Sequence, residues 1–297
     1  MSSVTVIGLG IMGGAIARHL AAAGRDVLGI DPSDEARAAA DEHGLATAAA
    51  PAGLDGHAGP VILCLPDAAS ARAVAVALAS LTAPRLVIET STLGLDEKRE
   101  VADTLHAAGH RVLDCPISGT GAQMARKDVV VYASGEAGAL QEAEELLTLF
   151  CRQVLKLGAF GNGTRMKLIA NHLVAVHNVA AAEAVLLGKR AGFDLATLQA
   201  AIGVGAGNST MFEVRGPSIA EQRYEPAAMK LSLWAKDMAL ITGFARRLGA
   251  ATPLLDAVSP LYAEALAEGR GDQDTAAVAE VLRAHAATPE PEEQQER

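Results

Sequence analysis

The chain has 297 residues, of which 50% are hydrophobic and only 3% aromatic, and its formal net charge is −10. The length suggests about two domains, and the acidic charge excludes a nucleic-acid-binding role, which requires a basic surface. Neither a secretory leader nor a basic amphipathic helix for membrane binding is recognisable. The three cysteines lack disulfide or metal spacing, so we expect a cytoplasmic protein with reduced thiols.

The N-terminal segment has the pattern of a dinucleotide-binding unit. A β-rich run at 4–7 leads into a turn with Gly8, Gly10 and Gly13, then a helix, then a second strand that ends at Asp31. Gly8 permits a tight turn, Gly10 lets the backbone approach a pyrophosphate, and Gly13 lets the helix press on the strand. Asp31 can accept the ribose hydroxyls and would repel a 2′-phosphate. The pattern therefore favours NAD as the cofactor over NADP.

Strands and helices alternate up to about residue 157. After the first strand, the predicted strands cover 27–30, 61–65, 86–90, 111–114, 129–133 and 153–157, and the predicted helices cover 14–23, 33–43, 68–81, 95–108 and 136–150. This order predicts one doubly wound, Rossmann-like α/β sheet whose ligands bind beyond the carboxyl ends of the strands. After residue 191 the strand signals vanish, and helices are predicted at 194–203, 229–248, 253–268 and 275–285.

A glycine-rich loop and a long apolar helix separate these two regions. The loop has three glycines within six residues, and the helix that follows is almost continuously apolar up to residue 187. Thr164 is predicted to cap this helix, and Lys167 and Asn171 lie on one helical face. Five polar side chains within the run argue against a membrane span. We predict a Rossmann domain at 1–162, an all-α domain at 163–287 that begins with this interdomain helix, and a disordered acidic tail at 288–297.

Four motifs, in this order, resemble those of the β-hydroxyacid dehydrogenases, which include 3-hydroxyisobutyrate dehydrogenase and tartronate semialdehyde reductase. They are the glycine turn at 8–13, the loop at 114–119, the segment at 161–171 and the segment at 236–240. The resemblance covers about residues 4–285 and implies hydride transfer between NAD and a small β-hydroxyacid. It also implies that Lys167 is the catalytic acid/base and that Asn171 holds Lys167 and the substrate in register.

The same resemblance and the strand ends define the remaining predicted site residues. The substrate carboxylate and hydroxyl are expected to bind to Ser118, Gly119 and Thr120. Lys236 is implied to close over the nicotinamide, although pairing with Asp237 or Glu225 at the surface is the alternative for this lysine. The predicted cofactor-binding residues are Gly8, Gly10, Ile11, Met12, Gly13, Asp31, Leu65, Pro66, Thr92 and Lys236.

The chemistry of alcohol oxidation agrees with this prediction. It needs a hydride acceptor and a base for the hydroxyl proton, and it needs no metal if a lysine takes that proton. A base works best with a pKa near the operating pH, so we expect the pKa of Lys167 to fall from about 10.4 to roughly 7–8. No metal site is predicted, because His106 and His110 lack a third ligand nearby.

Three alternatives come from other classes of protein. The first is a non-catalytic NAD-binding module, which the presence of both Lys167 and Asn171 disfavours. The second is a decarboxylating phosphogluconate enzyme, a group with a histidine where this chain has Ala170. The third is an imine reductase, in which the lysine is typically replaced.

The substrate loop departs from the family pattern, in which a second glycine follows Gly119. Thr120 stands there instead, and Arg126 and Lys127 follow. These residues suggest a longer or more anionic substrate such as a four-carbon acid, unless the two cations are simply solvated. An apolar helical domain also suggests a homodimer or homotetramer.

Overall fold

The computed structural model describes residues 3–51 and 54–286. The predicted acidic tail at 288–297 lies outside the described residues. The chain forms two compact units, Met1–Ala170 and Asn171–Arg297, whose boundary falls inside the long helix.

The first unit contains a six-stranded, entirely parallel sheet. Its strands run in the order β3-β2-β1-β4-β5-β6, and chain order reverses direction between β1 and β4. Ligands of doubly wound sheets bind at such a switch point, beyond the carboxyl ends of the strands. The strands are β1 Ser3–Ile7, β2 Asp26–Ile30, β3 Ala46–Ala48, β4 Val61–Leu63, β5 Leu86–Glu89 and β6 Arg111–Asp114.

Helices cover both faces of this sheet. They are α1 Ile11–Ala22, α2 Asp34–Asp41, α3 Ala68–Ala79, α4 Leu95–Ala107, α5 Gly121–Ala125 and α6 Ala137–Thr148. Successive strand residues point to opposite faces, so Val6 and Ile62 join one hydrophobic cluster with α1 and α6. Ile7 and Leu63 join a second cluster with α3 and α4. Burial on both faces explains why these strands are continuously apolar.

The prediction of a single sheet was wrong for its last strands. Ile117–Ser118 (β7), Val130–Ala133 (β8) and Gln153–Lys156 (β9) form a separate sheet, antiparallel between β7 and β8 and parallel between β8 and β9. Only an isolated bridge, Asp114–Ser134, pairs β6 with this segment. Pro116, which has no N–H to donate, is the second residue after β6 and prevents the ladder from continuing.

The second unit is helical in its described part. Its elements are the main part of α7 Asn162–Arg190, followed by α8 Leu195–Gly203, α9 Thr210–Glu221, α10 Leu231–Arg247, α11 Pro253–Ala267 and, after a 3₁₀ turn at Thr275–Ala277, α12 Val278–His285. The sequence did not predict α9, which contains Gly216 and Pro217 but is capped by Ser209 through Phe212 N.

The helix α7 is long and apolar enough to cross a membrane by length and composition, and it is the one such helix among the described residues. The core helix of a globular protein satisfies the same criterion. Within the second unit, the buried Asn178 amide donates hydrogen bonds to Tyr262 Oη (3.0 Å) and Thr275 O (2.9 Å). Lipid cannot supply such partners, so these contacts are those of a core helix.

Candidate active site

The turn between β1 and α1 is shaped for a phosphate group. A Cβ on Gly13 would lie 1.8 Å from Gly8 O, and one on Gly8, where φ is 94°, would lie 2.2 Å from Cys64 O. Both glycines are therefore required by backbone contacts. Gly10 is the N-cap of α1, no side chain caps that helix, and no atom lies within 4 Å of a Cβ built there. Uncapped N–H groups beside open space are what a pyrophosphate needs.

Asp31 lies at the carboxyl end of β2, next to this turn. Its Oδ2 accepts a hydrogen bond from Leu9 N (2.7 Å) and its Oδ1 accepts one from Ser33 N (2.9 Å). These bonds fix the carboxylate at the edge of the glycine turn, where ribose hydroxyls are expected. The Arg37 guanidinium donates to Asp31 O (2.7 Å). The sequence prediction considered only residues adjacent to Asp31 and missed this cation.

The other predicted cofactor residues of the first unit lie at the ends of neighbouring strands. Ile11 and Met12 begin α1, Leu65 and Pro66 follow β4, and Thr92 follows β5. Since β1, β4 and β5 are adjacent, the structure brings these segments to one edge of the sheet. Leu65 N donates to Ser91 Oγ (2.8 Å), which ties the loop after β4 to the loop after β5.

The substrate loop packs against the glycine turn. Ser118 ends β7, Gly119 has φ 146°, and Thr120 caps α5 by accepting a bond from Gln123 N at 3.3 Å. A Cβ on Gly121 would lie 2.5 Å from Ile11 Cγ2. The predicted substrate and cofactor segments therefore meet within the first unit.

The N-terminus of α7 is anchored in the same unit. The prediction that Thr164 caps the helix was wrong, because α7 begins at Asn162 and Thr164 lies in its first turn. The Asp114 carboxylate takes the capping role, accepting hydrogen bonds from Thr164 N (2.7 Å) and Thr164 Oγ1 (2.8 Å). Gly163 packs so closely that a Cβ there would lie 2.2 Å from Tyr132 O. Lys167 follows one turn later and is partly buried.

A buried cluster of charges beneath this anchor was not predicted. Lys98 Nζ lies 2.7 Å from Asp114 Oδ1 and 2.5 Å from Glu89 Oε2, and all three side chains are at most 1% exposed. Burial alone would lower the pKa of Lys98, but the carboxylates of Asp114 and Glu89 outweigh it and hold that pKa above its usual range. A signal existed, since Lys98 shares the buried helix face of Val101 and Leu105.

In the second unit, Asn171 and Lys236 both contact Asp237. The Asn171 amide Nδ2 donates to Asp237 Oδ2 (3.1 Å), and both side chains are buried. Lys236 Nζ lies 3.9 Å from Asp237 Oδ1. Asp237 was considered in the sequence only as a surface partner for Lys236. Asp237 is buried, and its carboxylate holds the Asn171 amide through this hydrogen bond.

Thiol and metal chemistry find little support in the described structure. Burial raises the pKa of the Cys64 and Cys151 thiols to about 11, and that of Cys115 in the substrate loop still further. A thiol that is protonated near neutral pH is a packing group and a poor nucleophile. Across residues 3–51 and 54–286, no group of three or more His, Cys, Asp and Glu side chains is arranged to hold a metal.

The sheet order, the glycine turn and the carboxylate after β2 define a dinucleotide-binding protein of the Rossmann class. The family model for the NAD-binding domain of 6-phosphogluconate dehydrogenase matches residues 3–158. A model described as NAD-binding of NADP-dependent 3-hydroxyisobutyrate dehydrogenase matches residues 161–282. The chain belongs to the β-hydroxyacid dehydrogenase family.

Relatives match along nearly the whole chain. L-threonate dehydrogenase of Cupriavidus necator is 33% identical over 285 residues, which cover 94% of this chain and 96% of the relative. The crystal structure of 3-hydroxyisobutyrate dehydrogenase from Salmonella typhimurium has a TM-score of 0.85 at 28% identity, and covers 95% of this chain and 100% of that one. The structure of Mycobacterium tuberculosis 3-hydroxyisobutyrate dehydrogenase with L-serine has a TM-score of 0.84 at 28% identity. The match covers 95% of this chain and 99% of that one.

Membership of this family, together with the phosphate-shaped turn, shows the reaction class. The protein is an NAD(P)-dependent oxidoreductase that transfers a hydride between a nicotinamide coenzyme and the CH–OH group of a hydroxyacid.

Proposed function

We propose that Lys167 is the general acid/base of this reaction. The supporting observation is its place on α7, one turn after an N-terminus that Asp114 fixes through two hydrogen bonds of 2.7 and 2.8 Å. Lys167 also stands in the segment that resembles the family's catalytic segment. Asn171, one turn further and bonded to Asp237, would orient the lysine and the substrate.

In the proposed reaction, the alcohol carbon loses a hydride and the alcohol oxygen loses a proton. Hydride acceptance is the chemistry that the nicotinamide coenzyme supplies when bound. Lys167 Nζ takes the hydroxyl proton, which neutralises the charge that would otherwise develop on the oxygen. In reduction, the same ammonium returns the proton. Ser118, Gly119 and Thr120 would hold the substrate carboxylate, and Lys236 would contact the coenzyme, as the resemblance implies.

The test is substitution of Lys167. Lys167→Ala should lower kcat about 10²–10⁴-fold, the usual contribution of general acid–base catalysis, with NADH affinity nearly unchanged. Lys167→Arg should be almost as inactive, because a guanidinium does not release its proton near neutral pH. The wild-type kcat/KM for oxidation should rise with pH through one ionisation that Lys167→Arg lacks.

Lys189→Ala is the matched control, since Lys189 lies on the same helix and bonds only to Ala220 O among the contacts described. It should keep wild-type turnover. A Lys167→Ala protein that binds NADH and turns over normally would refute the role of Lys167 and would assign the proton transfer to another group. If the wild-type protein does not oxidise hydroxyacids but reduces cyclic imines, the imine reductase alternative is favoured.

We further propose that NAD is preferred over NADP. Asp31 supports this, because its carboxylate is fixed beside the glycine turn and would repel a 2′-phosphate. Arg37 is the residue that could weaken the preference.

We also propose that the substrate is a four-carbon hydroxyacid. Arg126 and Lys127, which directly follow the short helix α5, are exposed beside the substrate loop. The similarity to the L-threonate dehydrogenase of Cupriavidus necator supports a substrate of this length.

Finally, we propose a cytoplasmic homo-oligomer, a dimer or a tetramer. An apolar stripe on α7 supports the oligomer, since Ile169, Leu173 and Leu187 are 50%, 49% and 71% exposed in the single chain. Exposed apolar surface of this kind is typical of contacts between protein chains.

A further inference from the structure

The buried lysine of α4 connects two parts of the site that the chain order keeps far apart. Lys98 Nζ contacts Asp114 Oδ1 at 2.7 Å and Glu89 Oε2 at 2.5 Å. Asp114 accepts further hydrogen bonds from Thr164 in helix α7, at both of its oxygens, and Glu89 accepts one from Ser91 in the loop after β5. The Lys98 ammonium therefore joins two series of hydrogen bonds, which we call the two arms, and both lie inside the first unit.

One arm leads to the catalytic helix. Asp114 Oδ2 accepts hydrogen bonds from Thr164 N (2.7 Å) and from Ser134 Oγ (3.1 Å). Ser134 Oγ in turn accepts a hydrogen bond from Gly163 N (2.9 Å). A carboxylate at a helix N-terminus is stabilised by the helix dipole. This arm fixes the first turn of α7, and Lys167 stands one turn beyond it.

The other arm leads to the coenzyme loops. Glu89 Oε1 accepts a hydrogen bond from Ser91 N (2.8 Å), and Ser91 Oγ accepts one from Leu65 N (2.8 Å). Leu65 lies in the loop after β4, and Ser91 lies in the loop after β5. This arm fixes the loops at the carboxyl ends of β4 and β5, and β4 borders the sheet's switch point.

The charges favour a positioning role over a purely stabilising one. Two carboxylates and one ammonium leave the cluster with one net negative charge, which faces the positive end of the α7 dipole. Apolar residues of similar volume often give equal or greater stability than a buried ion pair. An apolar side chain at this place, however, could not hold two carboxylates at hydrogen-bond distance.

We propose that Lys98 is a positioning residue for hydride transfer. It sets the distance between the helix that carries Lys167 and the loops that hold the coenzyme. The proposal rests on the role of Lys167 proposed above for its first arm, whereas its second arm concerns coenzyme binding alone.

Two single substitutions test the arms separately. Thr164→Val removes the Oγ1 bond to Asp114 and should slow single-turnover hydride transfer about tenfold or more, because small misplacements of a catalytic group are costly. Its substrate deuterium isotope effect should rise, and its NADH dissociation constant should stay within about twofold of wild type. Ser91→Ala should instead weaken NADH binding about three- to tenfold, the loss of one hydrogen bond.

The matched control for Thr164→Val is Thr275→Val. Both threonines are buried, at 3% and 2% exposed, but Thr275 Oγ1 has no hydrogen-bond partner among the described residues. The control should change neither the hydride-transfer rate nor the isotope effect. Thr164→Ser keeps the donor and should restore the rate to within about threefold.

Lys98→Met removes the ammonium that joins the two arms. It should show both slower hydride transfer and weaker NADH binding. If this variant does not fold, the double variant Thr164→Val/Ser91→Ala is the test. If the two arms are joined through Lys98, the effects of the single substitutions on the hydride-transfer rate and on NADH affinity should not add in the double variant, whereas the effects of two independent arms should add. Additive effects, or a folded Lys98→Met protein with wild-type rate and NADH affinity, would overturn the proposal.

A further comparison separates this proposal from the one on Lys167. If Thr164 acts through Lys167, Thr164→Val should cost nothing more in a Lys167→Ala background. Should Lys167→Ala retain full turnover, the role of Lys167 fails, whereas the NADH affinities of Ser91→Ala and Lys98→Met still decide whether Lys98 positions the coenzyme loops.

Discussion

Asp31 illustrates how much of the coenzyme preference a single residue can carry. Its two carboxylate oxygens are held by Leu9 N and Ser33 N, so the charge cannot swing away from a 2′-phosphate. We expect wild-type kcat/KM to be higher with NAD than with NADP. Asp31→Ala should lower the ratio of kcat/KM with NAD to kcat/KM with NADP about tenfold or more. The substitution removes both the acceptor for the ribose hydroxyls and the charge that repels a 2′-phosphate. The measurement is kcat/KM with each coenzyme.

Glu35→Ala is the control for charge alone, because Glu35 is an exposed carboxylate at the start of α2. It should leave the ratio unchanged. Equal or higher kcat/KM with NADP in the wild type would contradict the preference for NAD. It would point to Arg37, whose guanidinium donates a hydrogen bond to Asp31 O, as the residue that binds the 2′-phosphate.

The residues that sequence reasoning found and missed differ in a physical way. Lys167 and Asn171 stand beside a glycine-rich loop, where the pattern itself marks a site. Lys98 lies in a helix with acidic neighbours and looks solvated, and only its shared face with Val101 and Leu105 indicates burial. Partners such as Glu89, which are distant in sequence, become visible only when parallel strands bring them together.

Among the secondary-structure elements, strongly apolar ones were predicted and short or polar ones were not. The predicted strands β1, β4 and β5 differ from the observed ones only at their ends, because burial on both faces makes them apolar. The short strands β3 and β7 and the five-residue helix α5 are held by tertiary contacts and lack a periodic signal. The helix α9 contains Gly216 and Pro217, which are unfavourable inside a helix, and it was not predicted although Ser209 caps it.

The helix α5 is where we expect substrate length to be sensed. Arg126 and Lys127, which directly follow this helix, are exposed, and Lys127 has φ 58°, a left-handed conformation that is costly for lysine. If they contact a four-carbon acid such as L-threonate, Arg126→Ala and Lys127→Ala should each raise its KM about three- to tenfold. The KM for 3-hydroxyisobutyrate should stay unchanged.

The control is Arg99→Ala, which removes an exposed arginine from α4. Steady-state kinetics with both acids make the comparison. Unchanged KM values for the best substrate in both α5 variants would mean that the two cations are solvated and that substrate length is selected elsewhere.

Across the whole molecule, α7 is the element that both compact units share. It begins in Met1–Ala170 and continues through Asn171–Arg297. Its sequence is almost continuously apolar up to residue 187. One apolar stripe is nevertheless exposed, with Met166 and Ile169 in the first unit and Leu173 and Leu187 in the second. An amphipathic face repeating every three to four residues is the geometry by which helices pack on other helices.

A second copy of the chain is the partner that we expect on this stripe. Light scattering coupled to size-exclusion chromatography should give a dimer or a tetramer for the wild type. Leu173→Glu/Leu187→Glu should shift the protein toward monomer, because each copy would then bury two uncompensated charges in the interface, at a cost of several kcal/mol per ion. Val76→Glu, which replaces an exposed apolar residue of α3 (66% exposed), is the control and should leave the mass unchanged. A monomeric wild type would refute the homo-oligomer, and an oligomer that survives the double substitution would place its interface on another surface.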